Sequence, residues 1–174
     1  MFPRLNGRPR SKMLTAALLL LLPIVALAQT WPKILEGGDL TRVIPSSFYF
    51  EGQSAATQMR NSAAAQFGPR RFAMAGLVDT SGYSTDVQAK YQGFLITDSP
   101  IVIEGARLAT GAYGFGFTSD GRVNIMDVGG RQLLSVRSRR DAALQRPRPL
   151  MMTEAPRRGG VRLYAGRSFV LITK

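Results

Sequence analysis

Neither histidine nor cysteine occurs anywhere in this sequence. That removes Ser-His-Asp and Cys-His catalysis, thiolate nucleophiles, and the usual ligation of zinc, copper and haem. Carboxylates are the remaining candidates for acid-base work: Asp79, Asp86, Asp98, Asp120 and Asp127, with Glu36, Glu51, Glu104 and Glu154. A glycosidase-type pair needs two of them about 5 to 9.5 Å apart across a cleft, and spacing along the chain does not define such a pair. Asp79, Asp98 and Asp120 stand in turn contexts, where aspartate has a structural use. No calcium loop, Walker-type phosphate loop or dinucleotide loop is present. The glycine spacing of Gly111-Ala112-Tyr113-Gly114-Phe115-Gly116 falls inside a predicted strand. No catalytic residue, cofactor or metal site is assigned.

Arginine carries the strongest chemical signal. The net charge is +12, and residues 131–174 hold eleven basic residues (ten of them Arg) against two acidic ones. Residues 29–130 hold eight basic and nine acidic residues, so a nearly neutral body precedes a cationic C-terminal quarter. Arg137, Arg139, Arg140, Arg146 and Arg148 crowd one short connector, and Arg157, Arg158, Arg162 and Arg167 follow. The guanidinium fork matches phosphate and carboxylate groups. Arg137, Arg139, Arg140, Arg146, Arg148, Arg157 and Arg158 are the candidate anion- or partner-binding residues. An ordinary solvated basic surface is the competing reading.

The element that must carry these groups is a string of short strands from Tyr91 to Val136. Its apolar runs are separated by Asp-Ser-Pro, Glu-Gly, Ser-Asp-Gly and Gly-Gly, which read as turns of an antiparallel meander. At its centre, alternation puts Tyr113, Phe115 and Phe117 on one face and Ala112, Gly114 and Gly116 on the other. The aromatics are expected to fill a sandwich core, with something packed flat on the glycine face. The alternative is a groove, with Tyr113, Gly114 and Gly116 as its candidate residues.

Around this centre, Phe48–Phe50, Phe72–Asp79, Leu150–Thr153 and a closing hairpin of Val161–Ala165 with Ser168–Thr173 read as strands. Val87–Thr97 reads as one more, bulged at Gly93. Residues 30–41 look irregular, and Asp141–Leu144 reads as a single helical turn. Gln53–Phe67 changes period. Ala56, Met59, Ala63 and Phe67 recur at spacings of three and four, Ser54 stands as N-cap, and Gly68-Pro69 follows as a stop. This pattern predicts one amphipathic helix. The fold class is mainly β: an antiparallel β-sandwich or small barrel with that one helix.

The chain opens with Arg4, Arg8, Arg10 and Lys12, then the apolar run Met13–Leu27, then Ala26-Leu27-Ala28. That order is a secretory signal peptide of bacterial style, cleaved near Ala28-Gln29. The apolar run is short of the ~20 residues of a spanning helix. Residues 1–28 are thus the leader, 29–52 an irregular segment with a lead-in strand, and 53–174 one β-rich domain. The expected location is the periplasm or the medium.

The pattern Gly105-x-x-Leu108-x-x-Gly111-x-Tyr113 resembles a motif of an uncharacterised family of exported bacterial β-sandwich domains. The likeness spans roughly residues 101–130, and Ala109 stands where proline is common in that family. It implies the sandwich fold and no activity. The function expected from the sequence is non-enzymatic binding of an anionic lipid surface, an acidic glycan or an acidic protein partner through the Arg-rich region. Nucleic acid is not an expected partner outside the cytoplasm. The alternatives are a carboxylate-dependent hydrolase, or a carrier holding a hydrophobic ligand against Tyr113, Phe115 and Phe117.

Overall fold

The computed structural model describes residues 31–156 and 159–174. The proposed leader, its cleavage point, and Arg157 and Arg158 lie outside the described residues. Fourteen strands and two short helices follow in order: β1 (Lys33–Ile34), α1 (Gly37–Val43), β2 (Ser47–Phe50), β3 (Gln53–Gly68), β4 (Arg71–Val78), α2 (Thr85–Lys90), β5 (Gly93–Thr97), β6 (Ile101–Ile103) and β7 (Ala106–Leu108). The chain continues through β8 (Gly111–Phe117), β9 (Arg122–Met126), β10 (Gln132–Arg137), β11 (Arg139–Arg140), β12 (Arg148–Glu154), β13 (Val161–Gly166) and β14 (Ser168–Thr173). The first sheet runs β1-β3-β4-β5-β8-β9-β10, with β2 also paired to β3. The second runs β12-β13-β14-β6-β7, with β11 paired to β14. All pairings are antiparallel, and the two open sheets face each other as a sandwich, not a barrel.

Alternation along the strands builds two cores. Ala73, Ala75, Leu95, Phe115, Val123 and Ile125 of the first sheet meet Ile101, Ile103, Leu150, Val161, Leu163, Val170 and Ile172 of the second. The other face of the first sheet carries a separate cluster of Phe48, Phe50, Tyr83, Val87, Tyr91 and Phe94, under β2 and the two helices. Phe50 stacks on Tyr91 with ring centroids 3.9 Å apart. Both faces of the first sheet are therefore dry over much of its area, and β2, α1 and α2 cover what would otherwise be an exposed apolar surface.

The helix expected over Gln53–Phe67 is instead β3, a 16-residue strand. Its Ala63, Ala65 and Phe67 enter the inter-sheet core, while Ala55 and Ala64 enter the outer one. Burial on both faces, with β4 on one edge and β1 and β2 on the other, overrides the helix propensity of alanine. The spacings of three and four have a local cause. Thr57 pairs with Val78 and Ser62 with Gly76, so residues 58–61 arch out of the ladder. Within the arch Asn61 donates to Gln58 Oε1 (2.8 Å) and Ser62 Oγ to the Met59 carbonyl (2.7 Å).

The helices lie elsewhere. α1 occupies part of the segment expected to be irregular. The strand expected over Val87–Thr97 is α2 followed by β5, and Ser84 caps α2 by accepting from Val87 N. Asp141–Leu144 forms turns rather than a helical turn. The Tyr91–Val136 stretch is not one meander either: β6 and β7 belong to the second sheet, while β5 and β8 pair directly in the first. The motif Gly105-x-x-Leu108-x-x-Gly111-x-Tyr113 marks that crossing. Gly105 (φ 90°) turns β6 into β7, and Leu108 is buried in the core. The Tyr113 hydroxyl then donates to the Ala109 carbonyl (3.0 Å), fixing the corner where the chain returns to the first sheet.

Candidate functional site

The β13–β14 hairpin tip at Gly166-Arg167 organises the arginine-rich region. In the ladder, Arg140 lies opposite Ser168 and Arg148 opposite Gly166, so residues 141–147 pass around the tip from one side to the other. The strap is fastened at several points. Asp141 N donates to the Arg167 carbonyl (2.9 Å), and Arg167 Nη1 donates to the carbonyls of Ala142 (3.1 Å) and Leu144 (2.6 Å). Asp141 Oδ2 accepts from the Tyr164 hydroxyl (2.9 Å) and from Arg162 Nη1 (3.4 Å).

Beside the strap, Glu104 binds Arg139 through both carboxylate oxygens (2.8 and 2.9 Å) and accepts from Leu171 N at 2.6 Å. The guanidiniums of Arg139 and Arg162 lie 5.2 and 4.8 Å from the centroid of the Phe169 ring. Such contacts add cation-π attraction to the ion pairs.

This geometry divides the candidate arginines. Arg139 is spent on Glu104 and Phe169, as Arg162 and Arg167 are spent on the strap. Arg137, Arg140, Arg146 and Arg148 are exposed, and among the described residues none has an acidic partner within 4.0 Å. Arg140 and Arg148 flank the hairpin tip, Arg146 sits on the strap between them, and Arg137 precedes Arg140 by three residues. Three residues of extended chain span at most ~11 Å, so the four form one exposed basic end. Of the two acidic residues in this quarter, Asp141 is committed to Arg162 and Tyr164. Glu154 lies at the far end of β12, opposite Val161.

The groove expectation is corrected. Tyr113 and Phe115 belong to the inter-sheet core, with Phe117 packed against it. The glycine face is covered. A Cβ on Gly114 would overlap the ring of Phe50, and one on Gly116 would lie 2.8 Å from the Lys90 carbonyl carbon at the end of α2. Gly114 and Gly116 are there for close packing, not to floor a groove.

Most of the candidate carboxylates have structural partners. Asp79 is held below the usual carboxylate range by Ser81, chiefly its backbone N–H. Asp127 is held low first by the Arg131 backbone N–H, with the Arg131 side chain and Gly129 N–H adding to it. Asp98 accepts from Phe72 N (2.8 Å), Asp120 from the Thr118 hydroxyl, and Glu51 pairs with Lys90 (3.2 Å). Among the described residues no cluster of three or more acidic side chains could hold a metal ion, and no helix is long and apolar enough to cross a membrane.

Two clefts flank the start of β12. One, of about 320 Å³, lies between Gln58, Gln88 and Gln92 on one side and Pro149 and Ala165 on the other. Its amides are pinned to main-chain carbonyls of Val78, Tyr83 and Phe117 at 2.7 to 3.1 Å. The other, of about 370 Å³, is lined by Arg148 and by Glu36, which the sequence marks only as one of nine candidate carboxylates. Sequence reasoning missed this juxtaposition because residue 36 and residue 148 share no local pattern. Comparison with family models, with curated proteins and with solved structures gives no match.

Proposed function

We propose that this chain is an exported β-sandwich domain that docks on a surface of repeating anionic groups through the exposed arginines around the Gly166 tip. The observation that carries the reading is the division of the arginines. Arg139 is held by Glu104 and Phe169, and Arg162 and Arg167 build the strap, while Arg137, Arg140, Arg146 and Arg148 project without acidic partners among the described residues. Several separated guanidiniums at one exposed end suit phosphate, sulfate or carboxylate groups spaced along a polymer or membrane. The N-terminal charge, apolar run and Ala26-Leu27-Ala28 support export, as does the resemblance carried by Gly105, Leu108, Gly111 and Tyr113.

The test is binding of residues 29–174 to immobilised heparin and to vesicles containing anionic lipid, each across a salt series. Exposed charge contacts are screened by salt, so affinity should fall steeply with ionic strength. Changing Arg137, Arg140 and Arg146 together to Gln should weaken binding about tenfold, each exposed contact contributing up to ~1 kcal/mol. Preference for heparin or for vesicles identifies the source of the anions. Salt-insensitive binding, or full affinity in the triple variant, refutes the proposal.

A further inference from the structure

The 370 Å³ cleft lies within the usual range of small-ligand sites. It exists because β3 presents small side chains, Ser62 and Ala63, where β12 approaches with Met151 and Met152. Leu35 and Leu40 complete an apolar wall. Glu36 and Arg148 line the same cleft and do not pair with each other within 4.0 Å. Other opposite charges in this molecule do pair: Glu51 with Lys90, Glu104 with Arg139, Asp141 with Arg162. Nor is the Glu36 carboxylate used to cap α1, since it makes no side-chain cap hydrogen bond.

We infer that this cleft binds a short zwitterionic peptide of two or three residues, its ammonium at Glu36, its carboxylate at Arg148 and an apolar side chain against Leu35, Ala63 and Met152. The charges select the ligand class. A purely anionic ligand is repelled by Glu36 and a purely cationic one by Arg148. A neutral amphiphile would cover the apolar wall and leave two charges partly desolvated without partners, which is unfavourable. A peptide with free ends satisfies both charges and the wall, and its carboxylate accepts the guanidinium fork. This inference shares Arg148 with the anionic-surface reading but does not rest on it: the ligand has no net charge, and Arg137, Arg140 and Arg146 are not involved.

The test is an NMR titration of residues 29–174, which contain every described residue, with Ala-Leu-Ala in three forms: free, N-acetylated and C-amidated. The free peptide is expected to shift resonances of Ala63 and Met152, and blocking either end should weaken binding about fivefold. Glu36→Gln should abolish the discrimination against acetylation and keep that against amidation. Arg148→Gln should do the reverse. Both side chains are exposed, so the fold is expected to persist, checked by circular dichroism. No shift at the cleft with any of the three peptides, or equal affinity for all three, overturns the inference. Unchanged peptide affinity in the Arg137, Arg140, Arg146 triple variant separates this result from the surface-binding experiment.

Discussion

Adding one methyl group to Gly116 should destabilise the protein more than almost any other Gly→Ala change in it. The methyl would meet the Lys90 carbonyl, 2.8 Å from its carbon and 3.3 Å from Tyr91 N. These are main-chain atoms at the end of α2, so no rotamer change relieves the overlap. Gly114→Ala is the informative neighbour, because there the obstacle is the ring of Phe50, fully buried and stacked on Tyr91. Overpacking of this kind costs about 1 to 3 kcal/mol. Gly116→Ala belongs at the upper end and Gly114→Ala near ~2 kcal/mol. With about 4 °C of Tm per kcal/mol for a chain of this size, the losses are ~12 and ~8 °C by scanning calorimetry. Gly38→Ala is the control: nothing lies within 4 Å of its would-be Cβ, its φ is ordinary, and it sits in α1. It should raise Tm by ~2 °C, since alanine restricts the unfolded chain and favours the helix. Combining Phe50→Leu with Gly114→Ala should cost less than the two changes summed, whereas Phe50→Leu should not relieve Gly116→Ala. If Gly114→Ala and Gly116→Ala both melt within 1 °C of the parent, the glycine face is open and the account of the outer core is wrong.

Two further changes test the polar groups. Among the described residues the buried Tyr91 hydroxyl has no hydrogen-bond partner, so Tyr91→Phe should match the parent at pH 7 or exceed it by about 1 kcal/mol in urea unfolding. Burial, with Tyr83 beside it, raises the Tyr91 pKa far above that of an unfolded tyrosine. Its contribution is therefore complete below about pH 10 and is lost as pH rises further; Tyr91→Phe should gain on the parent only above that point, and a parallel decline in both proteins refutes the assignment. Asp127 has the opposite sign: its folded pKa is lowered by Arg131 and Gly129, so its stabilisation is present above about pH 4 and lost as pH falls through the lowered value. Asp127→Asn should lower Tm at pH 7, with the gap closing as the pH falls below the ordinary carboxylate range, and a gap that does not change with pH counts against the charge.

The local rules that read correctly in the sequence were those with one dominant cause. Ser119-Asp120-Gly121-Arg122 turns β8 into β9, with Gly121 at φ 77°, because an Asp-Gly pair has few other uses between two apolar runs. The closing hairpin Val161–Ala165 with Ser168–Thr173 is visible for the same reason. β3 reads as a helix in the sequence because alanine fits two periods at once. Ala63, Ala65 and Phe67 alternate as a strand, while Ala56, Met59, Ala63 and Phe67 repeat as a helix, and only the neighbouring strands decide between them. The signals for α2 were present in Ser84, Asp86 and Lys90, but the apolar run beyond it absorbed them into one strand.

The site was legible in composition and not in partnership. Counting arginines finds the basic quarter, yet Arg139 and Arg140 are sequence neighbours with opposite roles. Arg139 reaches Glu104, 35 residues back, while Arg140 on the next position of β11 finds no carboxylate. Strand alternation alone sends their side chains to different sides. Which side holds an acid depends on where β6, β7 and β14 come to lie. The same logic explains why Glu36 and Arg148 came together without a sequence signal. A charge becomes a candidate for binding when the fold denies it a partner, and that denial is a property of the packed sheets rather than of the local sequence. If the proposed anionic docking holds, its weight rests on the few arginines that folding leaves unpaired, so changing Arg139 should lower Tm in scanning calorimetry, whereas changing Arg140 or Arg146 should leave Tm unchanged and weaken only heparin or vesicle binding.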